Sequence, residues 1–333
     1  MNTSLFGLIA LTTMPLSPEA NAMQVGADPD ARGHVLEMDE MVVEPENDCA
    51  PEFQDEEGNC PVKRVAGANA FVANSAMAPW QVSIQSFKYK DLTAEELRAH
   101  AEWEHRHKCG GTVISKRWVL TAAHCITDER QKRAFDLRLR IGTKDLEPMG
   151  GCEFRVGRRI RHPGWTEDRK ADDIGLLEIL PHRDPACMAA IKPVKLDYGQ
   201  VELNDADGVR VFGWGKTKEG SSGRKSARLL GANLEYWVNE ECVKELKKKG
   251  VDASKVMDSN ICAYRDQADA CKGDSGGPLV LNKRGQPVVQ VGIVSWGRGC
   301  ARQGVPGIYT RVSSYTDWIE EQTGLRIRPR RAR

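Results

Sequence analysis

Gly273-Asp274-Ser275-Gly276-Gly277-Pro278 decides how the rest of this sequence is read. One hydroxyl stands between a carboxylate and two glycines. A serine hydroxyl is a poor nucleophile until a base takes its proton during attack. Glycines beside it let the backbone turn tightly and leave room for a bound molecule. The hexapeptide runs into Leu279-Val280-Leu281, a short apolar stretch that suits a buried strand.

Two segments further toward the N-terminus carry the matching groups. Val119-Leu120-Thr121-Ala122-Ala123-His124-Cys125 brings a histidine to the end of an apolar run, and imidazole titrates near neutrality, as a proton acceptor should. Asp172-Asp173-Ile174-Gly175-Leu176-Leu177 brings a carboxylate to the start of another, the group that fixes an imidazole tautomer and stabilises its cation. Singly, each is weak: such a histidine is more often a core or surface residue, and paired aspartates are more often a solvated turn. All three in this order are a far rarer coincidence.

Short β-rich runs separated by glycine turns surround these segments: 80–84, 111–114, 118–121, 137–141, 174–179, 209–212, 278–281, 288–296 and 307–312. Many short strands with few helices suggest an all-β sandwich or barrel. Only 94–108, highly charged, and 314–322 look helical.

The three segments together resemble the trypsin/chymotrypsin family of serine peptidases, from about Arg64 to Gly324. The resemblance implies two six-stranded antiparallel Greek-key β-barrels with a C-terminal helix. It implies a serine endopeptidase with Ser275 as nucleophile, His124 as base and Asp173 as the carboxylate that orients it. The N–H groups of Gly273 and Ser275 would form the oxyanion hole. No cofactor or metal is expected.

The resemblance also implies a specificity. Asp269, six residues before Ser275, takes the family position on the pocket floor, where a carboxylate selects Arg or Lys. Gly297 and Gly307 take the wall positions that keep the pocket open. Ala270 stands where many trypsins carry a hydroxyl, which favours Arg over Lys. Lys272 lies at the lip and would disfavour basic residues on the leaving side. Ser295-Trp296-Gly297 would offer an edge strand to the substrate backbone. The stretch between Cys262 and Cys271 is shorter than in typical trypsins, and Tyr264 stands where glycine is common.

Lys63-Arg64-Val65-Ala66-Gly67 lies upstream of Trp80-Gln81-Val82-Ser83. By resemblance, cleavage between Arg64 and Val65 activates the chain, and the new ammonium of Val65 pairs with Asp274, whose burial alone would be costly. The usual Ile-Val-Gly-Gly is here Val65-Ala66-Gly67-Ala68.

Ten cysteines without a single CxxC spacing suit disulfides in an oxidising compartment. The family pairing implies Cys109–Cys125, Cys242–Cys262 and Cys271–Cys300. Cys49, Cys60, Cys152 and Cys187 remain, with three pairings open. Cys49–Cys60 with Cys152–Cys187 is favoured; the rival bridges a leader cysteine to the catalytic domain.

The ends suggest an organisation. Residues 1–22, with an apolar stretch from Leu5 to Leu16 and Ala20-Asn21-Ala22, suit a secretory signal. Residues 23–64 form an acidic activation propeptide, 65–324 the peptidase domain, and 325–333 a basic tail expected to be mobile. Residues 23–64 carry twelve acidic and three basic residues, net −9, while 65–333 carry a net +11. The leader is therefore expected to lie against the domain before activation, in a contact that salt weakens. No apolar run is long enough to span a membrane; the signal-like start and the cysteine content lead to the expectation of a secreted protein, extracellular or periplasmic. Expected partners are protein or peptide substrates and protein inhibitors, with no nucleic acid required and a monomeric state.

Residues 87–108 are an insertion relative to compact trypsins. His100, His105 and His107 with Glu102 and Glu104 suggest a solvated charged helix rather than a metal site. The stretch from Asp145 to Gly151 is short for the family's calcium loop, and no calcium is expected. The alternative from another class is a cationic, non-catalytic peptidase-like binding protein. Such relatives usually lose His, Asp or Ser, and all three are present here.

Overall fold

The computed structural model describes residues 70–73, 76–86, 93, 95, 98, 100–126, 137–281, 283 and 287–329, all within the unit Ala50–Arg333. The strands are β1 (Ala70–Val72), β2 (Gln81–Ser86), β3 (His107–Val113), β4 (Trp118–Thr121), β5 (Leu137–Ile141), β6 (Cys152–Arg161), β7 (Gly175–Ile179), β8 (Lys195–Leu196), β9 (Gly208–Gly213), β10 (Leu230–Trp237), β11 (Asn260–Tyr264), β12 (Pro278–Leu281), β13 (Val289–Trp296) and β14 (Gly307–Arg311). The helices are α1 (Glu102–Arg106), α2 (Pro185–Ala190), α3 (Asn239–Lys248) and α4 (Thr316–Thr323).

Side chains alternate between the two faces of a strand, and closing a sheet puts one face inside. Along β10 the residues Ala232, Leu234 and Tyr236 are buried, while Asn233, Glu235 and Trp237 are half-buried. The first barrel closes in the order β2-β3-β4-β7-β6-β5 around Val82, Ile84, Leu120, Leu139 and Leu176. The second runs β10-β11-β14-β13-β12-β9 and closes through β9–β10, around Val209, Val211, Leu234, Ile261 and Val291. Both are antiparallel; β1 adds to β10, and β8 pairs parallel with β13. Two six-stranded barrels and a C-terminal helix are the expected fold.

Bonds between the barrels fix the cleft. Gln81 Nε2 donates to Phe212 O at 3.1 Å, Gly110 N to Ser275 O at 2.8 Å, and Thr310 Oγ1 to Asp173 O at 2.9 Å. Disulfides join Cys109–Cys125, Cys152–Cys187, Cys242–Cys262 and Cys271–Cys300. The rival pairing that used Cys187 for the leader is thereby excluded. Cys49, Cys60, Arg64 and Val65 lie outside the described residues, as do the signal and the acidic leader.

Two expectations are corrected. The inserted helix ends at Arg106, and His107 and Lys108 open β3 instead. The cause is tertiary: the His107 ring is buried between Ser83 Oγ, 2.8 Å from Nδ1, and Gly273 O, 3.0 Å from Nε2. The tail also begins docked rather than mobile. After the left-handed Gly324 ends α4, Ile327 N and Arg328 N donate to Glu320 Oε1, and Leu325 and Ile327 pack on the first core. No described helix is long and apolar enough to cross a membrane.

Candidate active site

Ser275 is held by its neighbours' main chain. Asp274 N donates to Cys271 O, Gly277 N to Asp274 O and Gly276 N to Val294 O, all within 2.9 Å. Gly276 has φ +79°, and a Cβ there would lie 2.2 Å from Thr121 Oγ1, so glycine alone fits this turn. The Ser275 carbonyl accepts from Gly110 N and lies 3.4 Å from Cys125 Sγ, so the residue after His124 touches the main chain of Ser275.

His124 sits on a 3₁₀ turn, Ala123–Cys125, directly after β4. Its Nδ1 donates to Asp173 Oδ2 at 2.7 Å and its backbone N to Asp173 Oδ1 at 3.0 Å. Asp173 is 1% exposed. Burial pushes its carboxyl up, but the His124 ring, the Ser295 hydroxyl and the His124 N–H outweigh burial and hold it below the usual carboxylate value. Ser295 Oγ donates to Asp173 Oδ2 at 2.5 Å. The sequence assigned Ser295 only to a substrate-pairing strand; a lone hydroxyl closing the apolar run of β13 was the available signal for this second use. A carboxylate so placed keeps the imidazole in the tautomer with a proton on Nδ1, leaving Nε2 to exchange a proton with a third group.

A cavity of about 370 Å³ opens beside Ser275. Asp269, Ala270, Lys272, Ser295, Trp296, Gly297 and Gly307 all line it, so every residue assigned to substrate from the sequence meets there. Asp269 is 9% exposed and accepts from Ala301 N at 3.0 Å. Burial, only partly offset by the N–H groups of Ala301 and Ala270, pushes it up to about 7. A Cβ on Gly307 would crowd Asp269 Oδ1 at 3.0 Å, whereas one on Gly297 would make only an ordinary contact with Gly299 O at 3.9 Å. The sequence missed Tyr309, whose buried hydroxyl has no hydrogen-bond partner among the described residues. It also missed Lys216, Glu219 and Gly220 at the rim, which carry no periodic pattern.

Asp274 lies behind the site, 1% exposed. Its carboxylate accepts from Gly215 N at 2.7 Å and Cys271 N at 2.8 Å. A Cβ on Gly213 would meet Asp274 Oδ1 at 1.9 Å, so the missing side chain makes the space for the carboxylate. Burial pushes Asp274 up to about 6 despite those two N–H groups.

The three histidines of the insertion do not converge. His107 is buried in the core of the cleft, and burial, with Lys225 adding, pushes it down to about 3. His100 and His105 stack edge to face, ring centres 5.5 Å apart. Glu104 is occupied by Arg224.

A family model described as Trypsin matches residues 66–319. Trypsin 5G1 of Aedes aegypti is 36% identical over 221 residues, 66% of this chain and 76% of that protein. Phenoloxidase-activating enzyme 1 of Spodoptera litura is 36% identical over 228 residues, 64% of this chain and 58% of that one. Transmembrane protease serine 11B of Homo sapiens is 30% identical over 274 residues, 80% of this chain and 60% of that one. The chain thus spans about three-fifths of the length of the last two.

Proposed function

The chain belongs to the trypsin family of serine peptidases, and from that premise we propose that its mature form is a secreted endopeptidase cutting after Arg and, less readily, after Lys. The observation that carries this reading is the buried Asp269 carboxylate in the cavity that also holds Ser275. A guanidinium offers five N–H donors in a plane. Asp269 would take the charge, and the unpartnered Tyr309 hydroxyl would gain a donor it now lacks.

Ser275 Oγ attacks the scissile carbonyl carbon while its proton passes to His124 Nε2. The carbonyl oxygen becomes an oxyanion, stabilised by the N–H groups of Gly273 and Ser275. Lys272 O accepts from Lys216 N at 2.8 Å. In a planar trans peptide the Gly273 N–H then points away from Lys216, an orientation that supports this role. His124 returns the proton to the leaving amine as the C–N bond breaks, and water resolves the ester on Ser275 by the same two proton transfers in turn. Asp173 stays ionised throughout and holds the imidazolium.

The raised Asp269 value carries a pH signature. Below about 7 the empty pocket holds a neutral carboxylic acid, so binding a cation must first expel a proton. Benzamidine, a small amidinium that needs no proton transfer from His124, should bind about tenfold more weakly per pH unit below that value and level off above it. Calorimetric titration from pH 5 to 8 reads this directly. A flat profile would remove Asp269 as the titrating partner.

We assign 1–22 to a signal peptide, 23–64 to an acidic propeptide, 65–324 to the peptidase domain and 325–333 to a basic tail. Activation is cleavage between Arg64 and Val65. Asp274 supports this reading: a fully buried carboxylate with two neutral donors among the described residues is stabilised as an ion by an ammonium, which Val65 would supply. Arg64 also fits the chain's own pocket, so the enzyme can process itself, and Arg64→Gln, which removes the cation at the cleaved bond, is expected to leave the secreted chain inactive unless another protease cuts nearby. N-terminal sequencing of active protein should give Val65 first; another start would overturn the assignment.

A further inference from the structure

The loop 216–226 has little order of its own. It contains Gly220-Ser221-Ser222-Gly223, and it carries four cations, Lys216, Lys218, Arg224 and Lys225, against the single acid Glu219. Like charges in a short loop repel, and Lys272 stands beside it at the pocket rim. Nevertheless its two arms are laddered: Thr217 N donates to Arg224 O at 3.0 Å, Ser226 N to Gly215 O at 3.2 Å, and Lys216 and Lys225 form a β-bridge. Fixing Arg224 and Lys225 on one arm therefore fixes Lys216 to Gly220 on the other. Lys216, Glu219 and Gly220 of that second arm line the cavity, and Glu219 takes Arg302, two residues beyond the lining Cys300, with contacts of 2.9 and 2.6 Å.

The fixing group comes from the insertion. Glu104 in α1 has a side chain only 7% exposed. Its carboxylate receives Arg224 Nε at 3.0 and 3.2 Å, an Arg224 terminal nitrogen at 2.7 Å and Lys225 N at 3.1 Å. The contact is reciprocal: Lys225 Nζ donates to Glu104 O at 2.7 Å and to His107 O, capping the end of α1. Burial pushes the Glu104 carboxyl up, but Arg224, Lys225 and His100 outweigh it and keep it ionised.

We propose that Glu104 is a positioning residue for the substrate pocket: the insertion exists in part to hold the loop 216–226 on the pocket rim through the Glu104–Arg224 clamp. This rests on the reading that the cavity receives the side chain before the scissile bond. Releasing the clamp lowers the fraction of molecules whose rim is formed, and apparent affinity falls by that fraction.

The test uses the full chain after activation, with Glu104→Gln, Arg224→Ala and the reversed pair Glu104→Arg/Arg224→Glu. Arg224 is half exposed, so its variant is expected to fold even if Glu104→Gln does not. Each single variant should raise KM for an Arg peptide about tenfold with kcat little changed. Ser275 should react with a small sulfonyl fluoride at the parent rate. The Glu104→Gln/Arg224→Ala double variant should be no worse than either single one, and the reversed pair, which restores the ion pair but not the acceptor for Lys225 N, should recover in part. Hydrogen exchange at 216–226 should speed up in the single variants. Unchanged KM in folded variants, an equal loss in sulfonyl fluoride reactivity, or singles that the reversed pair fails to rescue would overturn the proposal. If the parent reacts with sulfonyl fluoride yet ignores Arg peptides, the pocket reading fails instead, and exchange at 216–226 still decides whether the clamp holds the loop.

Discussion

Ser275→Ala is expected to abolish turnover of every peptide substrate alike, lowering kcat by roughly 10⁶-fold. The size follows from the proposed chemistry. Without Oγ no acyl-enzyme ester forms, and His124, held on Asp173 at 2.7 Å, has no hydroxyl to deprotonate. What survives is the acceleration that oxyanion donors and binding give to direct attack by water, about 10³–10⁴-fold over solution. Because the groups act as a unit, His124→Ala should cost a similar amount, and both changes together little more. Asp173→Asn should lower kcat about 10⁴-fold, since an amide favours the wrong imidazole tautomer. The Ser275→Ala variant should keep its affinity for Arg-containing peptides, measured by calorimetry, and lose labelling by sulfonyl fluorides. A Ser275→Ala protein retaining more than about a hundredth of parent turnover would exclude Ser275 as nucleophile. A parent with no turnover at all after correct cleavage would favour the cationic binding protein.

Motifs that chemistry demands were legible, and so were strands whose apolar content is dense. Trp118–Thr121, Leu137–Ile141 and Pro278–Leu281 have the bounds expected from the sequence. Three barrel strands were not legible. In β10, Gly231, Asn233 and Glu235 dilute an alternation carried by Ala232, Leu234 and Tyr236. In β6, one glutamate and four arginines surround Phe154 and Val156, and the register shift between Val156 and Arg159 breaks the period of two. In β11 a short run, Asn-Ile-Cys-Ala-Tyr, hides between turns. Helix α3 buries only Cys242 and Leu246, too narrow a stripe to announce a helix.

The site divides in the same way. Residues that react or select are rare types at fixed offsets, and these could be named. Residues that position them are ordinary types made special by contacts far along the chain. Ser295 meets Asp173 across 122 positions, and His107 meets Gly273 across 166. Glu104 resembled a solvated helix acid because its partner lies 120 positions away. Such pairings depend on how two closed barrels bring their loops together, and no local window contains that information.

Asp269→Ser is expected to lower kcat/KM for Arg and Lys substrates by about 10²–10³-fold or more, while Phe and Leu substrates change little. On the proposed reading, a cation entering the parent's cavity would exchange water for the Asp269 carboxylate, and both charges would then be confined with few other partners. Without the carboxylate the guanidinium still loses its water but gains only a hydroxyl, and such uncompensated burial costs about 3–5 kcal/mol. Each 1.36 kcal/mol is tenfold, which sets the expected range. Lys should suffer at least as much as Arg, because its compact ammonium depends on one strong partner, and Ala270 offers no side-chain hydroxyl to replace it. The substitution also removes the group whose protonation below about 7 opposes cation binding, so the pH dependence of benzamidine affinity should vanish with it. Ser275 should still react with small sulfonyl fluorides at the parent rate, since His124 is hydrogen-bonded to Asp173, which the substitution leaves in place. Profiling parent and variant against one peptide library separates the outcomes. A variant that cleaves after Arg as well as the parent would move the specificity away from Asp269, most directly to Glu219 at the rim, and would leave the assignment of Ser275 untouched.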